Sequence, residues 1–161
     1  MLTLNYFSAL FSFLLNNNTI SAFIAKGEII GCFGLTEPDH GSDIGKMETK
    51  AIYNKEKKTY TLTGSKTWIS NSPIADLILV WAKTQNGVVR GFLIERKNAK
   101  NLTTPIIKGK FSLRASPTGM IVMDGVEIPE ENILPGCEGM RVSTPFGTLA
   151  IINYKFNMYM Q

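Results

Sequence analysis

The chain has 161 residues, 44% of them hydrophobic and 19% charged; that length can bury a core without disulfides or metal, and that balance excludes a disordered chain. Its 17 Lys and Arg against 13 Asp and Glu give a net charge of +4, and the basic residues are scattered, which argues against a nucleic-acid interface. Cys32 and Cys137 stand in no CxxC pattern, and the single histidine, His40, cannot complete a zinc site with them, so both are expected as free thiols in a reducing compartment.

In chain order, residues 1–24 come first as an uncharged, apolar segment. Its run "YFSALFSFLL" (6–15) is too short for a membrane span. It has neither the basic start of a signal peptide nor the arginines of a mitochondrial leader. It reads as a segment apart from the domain that follows.

From residue 26 short apolar or alternating stretches recur between turn signals, with no long amphipathic helix. Strands are expected at 29–35, with Cys32 as core, and at 47–53. The charged turn "NKEKK" leads into a returning strand at 59–64. "KTWIS" (66–70) is a further β-rich stretch. "DLILVWAK" (76–83) is the most apolar and is expected at the centre of the sheet. Asn86-Gly87 predicts a hairpin into 88–95, and Asp124-Gly125 predicts another within 119–129. Weaker strands are expected at 102–107 and 112–114. Seven or more short strands at such spacing make the fold all-β, a barrel or sandwich. There is no G-x-G-x-x-G and no phosphate-binding loop.

"FGLTEPDHGSD" (33–43) is the most informative stretch. An apolar strand stops at Thr36, and hydroxyls, carboxylates, the lone histidine, a proline and glycines follow. Gly34 and Gly41 would let backbone approach a flat ligand. Thr36 and Ser42 offer hydroxyls, and the amides near Gly41 can receive oxygen acceptors. The competing reading is a plain turn. In the second polar stretch, Trp68 reads either as core or as a wall that stacks on an aromatic cofactor beside the Thr67 and Ser70 hydroxyls. Arg114 reads either as a structural bond to backbone or carboxylate, or as a contact to an anionic group.

Taken together, "GCFGLTEPDHGSD", "YTLTGSKTWISNSPIADLILVWAK", "GFLIE" and "GKFSLRASPTGMIVMDGVEIPEENILPG" resemble the middle β-barrel domain of the acyl-CoA dehydrogenase family. Within it, "KFSLRAS" and "VMDGVEIPEENILPG" are most similar to glutaryl-CoA dehydrogenases. The resemblance covers residues 25–136, with a fading echo at Pro145-Phe146-Gly147. It implies an FAD-dependent oxidoreductase that removes hydrogen across the Cα–Cβ bond of an acyl-CoA thioester. For glutaryl-CoA it implies decarboxylation to crotonyl-CoA in lysine and tryptophan degradation.

The resemblance also assigns roles. Phe33, Gly34, Leu35, Thr36, Glu37, Pro38, Gly41 and Ser42 would hold the flavin, with Ser42 also touching the acyl-CoA. Trp68, Ile69 and Ser70 would cover the ring. Ser70 stands where the family commonly has Thr, and Asp39-His40 departs from the family's small or amide residues. The family's glutamate base lies in a C-terminal helical domain, and no position here matches it. Residues 1–24 do not resemble the family's N-terminal helical domain, and 137–161 read as the start of the C-terminal one. The expectation is therefore a fragment lacking the catalytic base. Electron-transfer flavoprotein as acceptor, a homotetramer and a mitochondrial matrix location follow from the same resemblance. The alternative is a catalytically inactive barrel that binds FAD, acyl-CoA or a partner protein.

Overall fold

The computed structural model describes residues 26–41 and 43–134. Seven strands form one curled sheet: β1 (Gly31–Gly34), β2 (Lys50–Asn54), β3 (Thr59–Ser70), β4 (Leu77–Thr84), β5 (Val89–Glu95), β6 (Leu102–Thr103) and β7 (Thr118–Pro129). The only helical pieces among the described residues are short 3-10 turns. The all-β, barrel-like character expected from the sequence is present, as a sheet curled into a half-barrel. The segments 1–24 and 137–161, with Cys137 and the 145–147 echo, lie outside the described residues.

The apolar run at 77–84 is central, as its composition demands. β5 pairs with β4 along one edge, from Leu77↔Glu95 to Lys83↔Val89. The other edge is shared. β1 runs parallel to its first half, Gly31↔Leu77 to Gly34↔Val80, and β2 runs parallel to its far end at Lys50↔Lys83 and Ala51↔Thr84. The chain therefore leaves the sheet at Gly34, makes an excursion, and rejoins the same edge at Lys50. The Lys83 amide already donates to the Thr49 carbonyl at 2.8 Å. The β4–β5 hairpin turns at Asn86-Gly87, where Gly87 has φ +80 and Thr84 N–H donates to Val88 O at 2.8 Å. The β2–β3 turn is held by the Asn54 side-chain oxygen, which accepts from the Glu56 and Lys57 amides.

β3 and β7 pair antiparallel over their whole lengths, and this corrects two sequence expectations. The stretches at 59–64 and 66–70 are one strand, and Asp124-Gly125 is not a hairpin. Leu62 opposes Val126 while Thr63 opposes Asp124, so Gly125 is the extra residue of a bulge, at φ +74. The positive φ that suits glycine in a hairpin turn suits it equally in a bulge. The partner decides between them: β3 continues past the site, so β7 stays paired. The stretch 112–114 is exposed loop, and of 102–107 only Leu102–Thr103 pairs as a strand, with a lone bridge from Ile106 to Gly119.

The core lies inside the curl. Ile78, Val80, Phe92, Ile94, Leu62, Ile121 and Val126 are fully buried, each contributing about 1.5–3 kcal/mol through burial. Cys32 packs against this cluster, and burial pushes its thiol up to about 12, opposing the nearby Arg96 charge. A Cβ at Gly64, where φ is +141, would lie 2.8 Å from both Thr49 Cα and Thr49 Oγ1. Gly64→Ala is expected to cost about 3 kcal/mol, because it combines a disfavoured backbone with a clash against backbone. Urea denaturation at neutral pH reads that loss as a lower midpoint.

Candidate functional site

Two polar stretches 30 residues apart in sequence meet at the start of the excursion. Thr67 N–H donates to the Thr36 carbonyl at 2.9 Å, which lays the chain after β1 against β3. Glu37 and His40 then close a tight turn on each other, Glu37 N–H to His40 O at 3.2 Å and His40 N–H to Glu37 O at 3.3 Å. Pro38 within that turn sets the φ it needs. His40 Nε2 lies 3.4 Å from the exposed Glu48 carboxylate.

The Glu37 side chain turns inward and is only 4% exposed. Its carboxylate accepts from Glu48 N–H at 2.6 Å, Thr49 N–H at 2.9 Å, the Thr49 hydroxyl, and the Lys66 ammonium at 2.8 Å. Lys66 is wholly buried, and its stem packs beside Gly34, where a Cβ would also meet Ile121 Cδ1 at 2.8 Å. Burial is the largest influence on the Glu37 carboxyl and opposes its ionisation. The donors from Glu48, Lys66 and Thr49 together outweigh it and bring the carboxyl down to about 2. Burial is also the largest influence on Lys66 and brings it down to about 8, against the pull of Glu37. The contrast follows from the bonding: the carboxylate collects four hydrogen bonds, the ammonium donates one. Both groups are charged at pH 7.

Trp68 is where the strand alternation breaks. Leu62 and Lys66 face inward, and period-2 alternation would turn residue 68 inward as well. Lys66 pairs with Ile121 but Ile69 with Gly119, so Thr67 and Trp68 oppose the single residue Met120. This bulge shifts the phase. Ile69 enters the core at 2% exposure, and Trp68 stands out at 58% with φ +59. That φ is disfavoured for a bulky side chain and stores about 1–3 kcal/mol. The core reading of Trp68 is thus corrected by a register shift that composition does not reveal.

Around Trp68 the hydroxyls of Thr36, Thr67 and Ser70 are all partly exposed, and none bonds to another described residue. Phe33 packs edge-on to Trp81 at 6.3 Å, and Leu35 is half-buried. Pro38 and Gly41 are exposed, and a Cβ at Gly41 would meet nothing within 4 Å. Gly34 instead serves internal packing, and Ile69 is buried in the core. Ser42 lies outside the described residues.

An open cleft of about 580 Å3 lies beside the Glu37 turn, lined by Pro38, His40, Lys46, Lys50, Ser65 and Lys83 among others. Arg114 is exposed and makes no bond to a described residue. Lys110 does the structural work of its loop, donating to Leu113 O, Ser116 O and Thr118 Oγ1 at 2.6–2.8 Å. No group of residues suited to a metal ion, and no helix long and apolar enough to cross a membrane, occurs among the described residues.

Sequence reasoning missed Lys66, Thr49 and the role of Thr67. The available signal was phase: a lysine sharing the inward register of Leu62 needs a buried anion.

Glu37→Gln strands the Lys66 charge and is expected to cost about 3 kcal/mol at pH 7, read from urea unfolding. Because the folded Glu37 value is lowered, its stabilisation is intact above about pH 5 and is lost as pH falls toward 2. The wild type should therefore lose stability over that window more steeply than the variant. Trp68→Gly, by contrast, relieves the strained φ and should raise stability by about 1 kcal/mol; a lower urea midpoint would show that Trp68 packing outweighs its strain.

The family described as "Acyl-CoA dehydrogenase, middle domain" matches residues 32–126. The chain is 39% identical over 132 residues to the glutaryl-CoA dehydrogenase of Desulfococcus multivorans, covering 78% of this chain and 32% of that protein. It is 38% identical over 120 residues to the mitochondrial very long-chain specific acyl-CoA dehydrogenase of Mus musculus, covering 69% and 18%. A crystal structure of a glutaryl-CoA dehydrogenase from Mycobacterium smegmatis in complex with FADH2 superposes with a TM-score of 0.70 at 42% identity, covering 74% of this chain and 30% of that one. The chain thus spans a third or less of each of these relatives. Fold and matched residues agree: this chain belongs to the acyl-CoA dehydrogenase family, whose middle domain it carries.

Proposed function

We propose that the barrel holds FAD and serves the α,β-dehydrogenation of an acyl-CoA thioester, with glutaryl-CoA as substrate and electron-transfer flavoprotein as electron acceptor. The observation that carries this reading is the outward Trp68, held at a strained φ beside the unengaged hydroxyls of Thr36, Thr67 and Ser70. Exposing a tryptophan and leaving three hydroxyls unbonded gains a fold nothing. A flat heteroaromatic ring uses both, stacking on the indole while its polar edge takes the hydroxyls. When bound, the flavin supplies the acceptor for the hydride leaving the substrate β-carbon.

The residues of this chain bind and orient. Thr36 and the backbone around Gly41 face the ring's polar edge, Trp68 and Ser70 cover it, and Ser42 serves the flavin and the acyl-CoA. Phe33, Leu35 and Ile69 shape the wall from behind, and Glu37 and Pro38 fix the turn. Glutaryl-CoA rather than a longer acyl-CoA is supported by the "KFSLRAS" and "VMDGVEIPEENILPG" stretches.

Titration of the full chain with FAD tests the reading. Saturable quenching of flavin fluorescence is expected, and Trp68→Ala should weaken it about tenfold, the loss of one stacked ring. Glutaryl-CoA should then perturb the bound-flavin absorbance more than palmitoyl-CoA does. No saturable FAD binding would overturn the reading, and equal response to both thioesters would overturn the substrate.

A further inference from the structure

We propose that the buried Glu37–Lys66 pair is a positioning device for the ring-facing surface: it closes the neck of the excursion between β1 and β2 and so fixes Thr36 and the Thr67–Trp68 bulge relative to each other. This rests on the flavin reading above but makes a separate claim about the chain.

The geometry assigns this role. Glu37 reaches back to the amides of Glu48 and Thr49, at the far end of the excursion, and across to Lys66 on β3. One carboxylate therefore ties three stretches of chain. Thr36 immediately precedes Glu37, and Thr67 and Trp68 immediately follow Lys66. The Thr67 N–H to Thr36 O bond at 2.9 Å lies directly beside the pair. A displacement of Glu37 passes directly to Thr36 and through Lys66 to the bulge. The positive φ of Trp68 persists only where its surroundings over-determine it. Lys66 anchors one side of the bulge, and Ile69, in the core, anchors the other.

Stability alone does not call for charge here. A buried ion pair is commonly matched or exceeded by apolar groups of similar volume. What the pair supplies is direction, since hydrogen bonds to a carboxylate fix angles that packed methyl groups do not.

The distinguishing variant is Glu37→Gln with Lys66→Met in the full chain. It leaves no stranded charge, so Tm should recover most of what Glu37→Gln alone loses. If the pair positions the surface, the Thr67 amide should still exchange at least tenfold faster than in the wild type, and FAD should bind about tenfold more weakly. Thr49→Val, which removes one donor to Glu37 and keeps the volume, should show the same two effects at about threefold and serves if the double variant does not fold. Recovery of Thr67 protection and FAD affinity together with Tm would overturn the proposal. Lost Thr67 protection with unchanged FAD affinity would overturn its link to the flavin. If the wild type binds no FAD, the functional reading falls, and Thr67 exchange alone decides the positioning claim.

Discussion

A carboxylate and an ammonium that water barely reaches, Glu37 and Lys66, organise the polar end of this barrel. The sheet itself is made by ordinary means: apolar strands, two tight turns and a glycine bulge. The excursion after β1 leaves the sheet and has a single fully buried apolar anchor among its described residues, Met47. It is otherwise tied down by hydrogen bonds that converge on one side chain. In the dry interior those bonds are strong, and the absence of any one donor is costly. The order of the surface loop is thus borrowed from the core.

The second constraint is phase. A strand of twelve residues with strict alternation has one inner and one outer face. β3 changes phase at Thr67–Trp68, so its first half buries Leu62 and Lys66 and its second half buries Ile69. The same strand thereby sends a lysine into the core and a tryptophan out of it, the reverse of what side-chain hydropathy favours. Neither placement helps the sheet. Both are intelligible if the lysine holds the excursion and the tryptophan meets a ligand.

Much of the fold was legible from local pattern. The apolar run of β4 named the central strand, and Asn86-Gly87 marked a true hairpin. Asp124-Gly125 carries the same kind of signal and marks a bulge, because a local dipeptide cannot report how far its partner strand extends. The site was legible in part. The cluster of hydroxyls after β1 pointed to a ligand rim, and resemblance joined it to the Trp68 stretch. Composition alone left Trp68 open between core and cofactor wall. The inward course of the Glu37 side chain depends on Lys66, 29 residues later, and no window on the sequence contains both in a recognisable pattern.

β1 and β2 sharing one edge of β4 has a further meaning for how such a chain can vary. The sheet is continuous on either side of the excursion, and the excursion is closed at its base between Glu37 and Thr49. Loop-closure entropy grows only slowly with length, and none of the strand register passes through the segment in between. Residues may be gained or lost between Glu37 and the buried Met47 without moving a strand. The barrel then acts as a socket with a fixed collar, into which rims of different length and chemistry can be set.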